Sequence, residues 1–348
     1  MLPLPSSRLM SPSTLIKAVG LAVLVALPFF GFGAYAMHIC VQILLWGFIY
    51  TAWSIMGRFG LVSLGHGGFL GIGVYTVVLL WNYQGISPWL GIPLGMALAM
   101  GAGLLIGYPC FRFRITGHYF ALVTLALGEV VRLSIVALRD ITGGSLGITP
   151  ARASDTGTSF YALQFADKGT FFLLVLAVWV GGLIVWWLVD RSMTRPAMLA
   201  IADNEEAAAA IGINVTREKL KVTVISAAMT ALGGILYGQY QMYVNPETLS
   251  GITPSLQIVF AVVAGGMFVQ LGPTVGAIFT IMLAESLRVF IGHDVHGADT
   301  TIYGLLLVLF IIFMPKGILG TAMAAAARRR LPEQATAPAP EQAARRPV

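Results

Sequence analysis

Four charged residues interrupt otherwise apolar stretches, and their spacing pairs them: Glu129 with Arg132, and Glu285 with Arg288. Three residues apart on a helix, each pair shares one face and can neutralise itself. Charges inside a membrane mark functional sites by default, and a pair near a helix end also serves as a packing device; both readings stand here. Gly143-Gly144-Ser145-Leu146-Gly147 fits the Gly-x-Ser-x-Gly pattern. A serine hydrolase needs that pattern on a strand–turn–helix elbow with Asp and His to follow, whereas this copy falls in an outer loop between helical spans. His293, Asp294, His296 and Asp299 have metal-ligand side chains, but in an outer loop they read as solvated turn residues. No Gly-Lys dipeptide occurs, so the chain has no Walker A phosphate cradle. Cys40 and Cys110 lie in apolar surroundings and read as small core residues, without a disulfide framework or a Cys-rich metal site. These residues give no catalytic set and no metal site, and nothing supports an enzyme.

The elements that position them are set by composition. Of 348 residues, 57% are hydrophobic and 10% charged, with a mean hydropathy of +0.83. A soluble domain carries roughly 25% charged residues, so this chain cannot cover a water-facing surface. It reads as an all-α polytopic membrane protein. A crossing helix needs about 20 apolar residues, and the charge-free runs divide accordingly. Residues 18–57 hold two spans meeting near Ala36 and Met37. Residues 59–111 hold two more, broken at Gln84–Pro88. Further spans cover 118–138, 169–189, 222–240, 254–271, 273–291 and 300–314, about ten in all.

With the N-terminus placed inside, 16 of the 21 Lys and Arg fall on the cytoplasmic side and three outside (Arg139, Arg152 and Lys168). That asymmetry puts both termini in the cytoplasm and accounts for the net charge of +6 without nucleic acid. Lys17, an apolar run and Ala34-Tyr35-Ala36 resemble a cleaved secretory signal. The run is long for one and another span follows at once, so it is kept as a helix. Residues 1–16 and 321–348, rich in Pro, Ser, Ala and Arg, are expected to be disordered tails around a membrane domain over 17–320.

Two segments exceed what anchoring requires. Ser63-Leu64-Gly65-His66-Gly67-Gly68-Phe69-Leu70-Gly71 brings glycines and a histidine into the membrane. Gly67 and Gly71 form a small-xxx-small pair for close helix packing, or the glycines allow irregular backbone that lines a path. Residues 190–221 form a long cytoplasmic connection. Within it Asp203 reads as an N-cap, Glu206 completes a capping box, Ala207–Ala210 favour helix and Gly212 ends it. Such a short helix is a docking element, with Ala207 and Ala208 setting how closely a partner sits.

Glu206-Ala207-Ala208, three residues and then Gly212 resemble the EAA-x-x-x-G core of the coupling loop in bacterial ABC importer permeases. The longer string Asp203-Asn204-Glu205-Glu206-Ala207-Ala208, Gly212-Ile213-Asn214, Thr216-Arg217 and Lys219 resembles the LivM-like branched-chain amino-acid permeases. So do Leu64-Gly65-His66 with Phe69 to Tyr75, Tyr119–Ala126 including Thr124, Thr142-Gly143-Gly144-Ser145, and Pro315-Lys316-Gly317-Ile318-Leu319-Gly320. The Ile-x-Leu-Pro ending of the longer EAA consensus is absent, as it usually is in the permease families nearest this one.

The resemblance implies an ABC importer permease bundle in the bacterial inner membrane. It implies a second permease subunit in a heterodimer, two cytoplasmic ATP-binding subunits and a periplasmic solute-binding protein. ATP is then bound by the partners and no cofactor by this chain. Coupling falls to Asp203, Glu205, Glu206, Ala207, Ala208, Gly212 and Asn214. Candidates for the path or its packing are Ser63, Gly65, His66, Gly67, Gly71, Thr124, Glu129, Arg132, Glu285 and Arg288. Two alternatives remain: a same-family permease for urea, amides or sugars, and a self-contained ion-coupled transporter. The second needs a mid-membrane ion site, against which the self-neutralising pairs argue.

Overall fold

The computed structural model describes residues 12–153, 158–291, 298–314 and 317–330. Its helices, in chain order, are α1 (Pro12–Ala26), α2 (Ala34–Gly57), α3 (His66–Gln84), α4 (Pro88–Arg112), α5 (Gly117–Ala137), α6 (Lys168–Arg191) and α7 (Thr194–Asp203). They continue with α8 (Glu205–Ala210), α9 (Val215–Gln241), α10 (Ile252–Gly265), α11 (Gly272–Ile291), α12 (Ala298–Phe313) and α13 (Gly317–Arg330). Among the described residues, β-pairing is limited to two isolated bridges, Ile148 with Val244 and Ser159 with Gln164.

Local chemistry sets the boundaries. Gly85 takes a left-handed φ of +64° to end α3, and Ser87 caps α4 ahead of Pro88 at its first position. Asp167 Oδ2 accepts from Thr170 N at 2.8 Å to cap α6. Asn214 Oδ1 accepts from Arg217 N at 3.0 Å to cap α9. A helix apolar on every side belongs in a core, and α2 is one: Val41, Leu45, Ile49, Tyr50 and Ala52 are fully buried. It packs against α6, α9 and α11, while α9 also holds α3 and α4.

Each expected span meets a helix, and among the described residues seven helices are long and apolar enough to cross a membrane by themselves, so the count of ten is not confirmed. At about 1.5 Å per residue, the 15 residues of α1 and the 16 of α12 fall short of a bilayer core. The glycine-rich α3 is too weakly apolar to qualify. The first break comes at Gly31–Gly33, after a 3-10 turn over Leu27–Phe30, and not at Ala36–Met37; Gly31 is left-handed there. Parts of both expected tails are helical. Residues 12–16 belong to α1, and 321–330 continue α13, where Ala322 and Ala324–Ala327 favour helix. His293, Asp294, His296, Pro315 and Lys316 lie outside the described residues, as does the side chain of Asp299.

Candidate functional site

The connection between α6 and α9 folds as two short helices, α7 and α8, with Asn204 between them. Asn204 Oδ1 accepts from Glu206 N and Ala207 N, both at 3.0 Å, so it caps α8. The cap expected at Asp203 is therefore one residue off: Asp203 is the last residue of α7. At the other end Gly212 has φ +94°. Its N–H bonds Ala209 O at 3.0 Å and Ile213 N bonds Ala208 O at 3.1 Å, which is the Schellman arrangement a glycine permits.

One side of α8 is committed to its own chain. Ala208 is buried in a cluster with Met198, Ile201, Phe111 and Val222, so a partner cannot touch it, contrary to the sequence expectation. Lys219, 3% exposed on α9, bonds Glu205 Oε2 at 2.5 Å. The opposite side faces outward: Asp203, Glu206, Ala207, Ala210 and Ile211 are exposed, Ile211 at 76%. Arg114 reaches Glu206 at 3.2 Å across this surface. Glu205 and Glu206, neighbours of one residue type, thus divide into an internal anchor and a surface group. Asn214 caps α9 and takes no place on the outward face of α8.

A second cation secures the same end. Arg58, directly after α2, donates to Asp190 Oδ1 at 3.1 Å and stacks 4.0 Å from the Trp186 ring centroid. Burial pulls its pKa down to about 10, opposed by the Asp190 carboxylate.

The glycine-rich segment is a packing hub. His66 is fully buried, with Nε2 2.8 Å from Ser226 Oγ, which donates to Ala52 O at 2.7 Å. Gly67 N donates to Ser255 Oγ at 3.0 Å, and Leu64 N to Thr124 Oγ1 at 3.0 Å. A Cβ on Gly67 would stand 2.6 Å from Gly251 O, and one on Gly68 3.1 Å from Gly128 Cα. Gly65 abuts Thr124, and Gly71 abuts Ser250. Ser63 and Thr124 border a void of about 10 Å³, room for a single water at most.

Of the charged pairs, Arg132 bonds Glu129 through Nε at 2.8 Å and also Glu247 Oε1 at 2.5 Å. Glu247, on the short Pro246–Leu249 turn of helix, is a third member that local spacing could not reveal. The pair is half-exposed, Arg132 at 20% and Glu129 at 30%. Glu285 bonds Arg288 at 3.1 Å and accepts from Tyr35 Oη at 2.7 Å. Ser145 lies on a 3-10 turn over Gly144–Leu146, docked by Ile148 N to Val244 O, and so has no nucleophile elbow. At that end of the bundle a cavity of about 440 Å³ touches His38, Arg152, Lys168 and Gln239. Gln239 has neither amide atom bonded among the described residues; sequence periodicity gave no sign of it.

The family model described as "Branched-chain amino acid transport system / permease component" matches residues 35–315. The chain belongs to this family. The chain is 32% identical to the LivM permease protein of Escherichia coli K12, over 76% of this chain and 65% of that protein. It thus spans slightly less than two thirds of that relative's length. The probable LivH permease of Methanocaldococcus jannaschii is 23% identical over 74% of this chain and 82% of its own. The L-arabinose permease AraH of Escherichia coli K12 is 28% identical over 58% and 56%. No solved structure matches.

Proposed function

We propose that this chain is the permease subunit of an ATP-driven importer for branched-chain amino acids, working in the inner membrane. The observation that carries the reading is α8: six residues capped at both ends, one side fixed to the bundle and the other presenting small residues to solvent. An inert surface loop has no need of this construction. ATP-binding subunits seat against Ala207, Ala210 and Ile211. Their movement passes through Ala208 into the core and through Glu205 to Lys219 on α9, which carries α2, α3 and α4 with it.

The solute path falls beside α5, shared with a second permease. Leu122, Val130 and Leu133 are exposed along one stripe of this helix, next to the half-exposed Glu129 and Arg132. Charges on such a face require a protein partner or water rather than lipid. A solute-binding protein delivers the amino acid at the outer end. The preference for branched-chain solutes rests on LivM, which aligns over more of this chain than the arabinose permease does.

The test is uptake of labelled leucine, isoleucine, valine, L-arabinose, ribose and urea in a strain lacking this chain, with and without its restoration. Restoration of branched-chain uptake alone is the expected result. Restored sugar or urea uptake would move the substrate assignment. Reconstituted with ATP-binding subunits and binding protein but no second permease, the chain should remain inactive.

A further inference from the structure

The end of the bundle that carries α8 also has a trough of about 710 Å³ between α4 and α9, which the importer reading does not use. Its walls are apolar: Leu104 and Tyr108 on α4, 43% and 54% exposed, facing Leu220 and Val224 on α9. Its rim is basic, made of Arg112, Arg217 and Lys221. On α4 the lining residues fall at 104, 108 and 112, and on α9 at 216, 217, 220, 221, 224 and 225. Both are single helical stripes. Each runs from apolar to basic over roughly 10–12 Å at 1.5 Å per residue. Gly107 lets α9 approach so closely that an added Cβ would meet Leu220 at 3.2 Å, which closes the floor and leaves the trough open outward.

The charges on the rim are only partly neutralised within the chain. Lys221 pairs with Glu218 at 2.5 Å, but among the described residues Arg112 and Arg217 have no ion-pair partner. Two free guanidiniums beside an ammonium suit a phosphate, which arginine binds in a fork. The trough above them suits an acyl chain. An occupant must therefore be apolar at one end and anionic at the other, with the division at the membrane–water boundary. Basic pockets between helices on the cytoplasmic side are places where anionic headgroups bind.

We infer that the α4–α9 trough holds an anionic phospholipid of the inner leaflet, its phosphate on Arg112 and Arg217 and one acyl chain along Leu104, Tyr108, Leu220 and Val224. Soluble phosphate uses the rim alone, and a zwitterionic lipid brings an ammonium toward three cations. The rim continues into a smaller cavity of about 240 Å³, where Arg112, Asn214 and Thr216 meet Glu205 and Ala209 of α8. The headgroup thus lies against the inner side of α8. If the importer reading holds, lipid composition sets how firmly α8 is seated. Lipid binding itself does not depend on that reading.

The test uses the full-length chain extracted from membranes into mild detergent, with retained lipid read by native mass spectrometry. Phosphatidylglycerol should stay bound where phosphatidylethanolamine and phosphatidylcholine wash away. Each surface cation is worth about fivefold in attraction to an anionic headgroup, so Arg112→Gln with Arg217→Gln should lower retention on the order of 25-fold. Val224→Trp, which fills the trough and leaves the cations, should also abolish it. Leu104→Trp at an exposed position does the same if the first variant folds poorly. Three outcomes overturn the inference: unchanged retention in the charge variant, unchanged retention in both filled variants, or displacement by inorganic phosphate. Cross-linking of a cysteine at 217 to an ATP-binding subunit, with no lipid retained in the assembled complex, also overturns it. Failure of the chain to restore branched-chain uptake, with lipid retention intact, would count against the importer reading alone.

Discussion

Lys219 reaches from the second turn of α9 to Glu205 at the start of α8, Nζ to Oε2 2.5 Å, with the lysine side chain only 3% exposed. The bond joins a surface element to a membrane helix fourteen residues further along the chain. Breaking a buried pair by removing one partner leaves an uncompensated charge and costs about 3 kcal/mol or more. Glu205→Ala should therefore lower the unfolding midpoint of the purified chain and release α8 to proteolysis. Glu205→Ala with Lys219→Met should recover much of the midpoint. A double variant no more stable than the single one would show that the pair does not hold α8.

Neighbouring alanines in α8 should behave oppositely. Ala207→Trp adds bulk on the exposed side, so the chain should accumulate normally yet lose both ATP-binding subunit co-purification and uptake. Ala208→Trp forces a ring into the cluster around Met198 and Ile201 and should reduce accumulation itself. Overpacking of this kind typically costs about 1–3 kcal/mol. Membrane-fraction blots and pull-downs separate the two outcomes. Equal accumulation would mean that Ala208 is not packed inward.

Arg132 has two carboxylates, so either alone should keep it tolerable. Glu129→Gln and Glu247→Gln are each expected to retain substantial uptake. Together they strand the guanidinium in a setting where desolvation is expensive, and the double variant should lose more than the singles combined. Purely additive losses, measured as uptake per accumulated protein, would show that the two carboxylates act independently.

Gly67→Ala should destabilise the bundle, because its Cβ would sit 2.6 Å from the Gly251 carbonyl oxygen, with backbone on both sides. Gly101, in α4, has nothing within 4 Å of an added Cβ, and Gly101→Ala should change stability by less than about 1 kcal/mol. Thermal unfolding in detergent distinguishes them. A Gly67→Ala midpoint matching that of Gly101→Ala would show that α3 has room to shift.

Helix positions were legible because apolar length and charge are local properties of the chain. Gly85, Ser87 and Pro88 punctuate α3 and α4 within a few residues, and the structure breaks where they stand. The short helix α8 was legible for the same reason, though its cap was not. Asp203 and Asn204 are adjacent residues of equally suitable type, and only the preceding helix, which occupies Asp203, decides between them. The inward turn of Ala208 depends on Met198 and Ile201 arriving from α7. Glu247 comes to Arg132 from 115 positions away, beyond the reach of any helical period. The glycines near His66 were ambiguous because close packing and irregular backbone need the same missing side chain.

The shortage of side chains between α3 and its neighbours has a mechanical consequence. Glycines at 65, 67 and 68 place backbone almost directly on backbone from α5 and the Ser250–Ser255 segment, and Gly73 meets Ala231 of α9 in the same way. Few rotamers are available there to flip and absorb movement, so these contacts make α3, α5 and α9 stiff against one another. The 27 residues of α9 form a rod about 40 Å long at 1.5 Å per residue. In the proposed importer a tilt applied at Lys219 would be carried along this rod, and the compliance would lie at the seams around the stiff block.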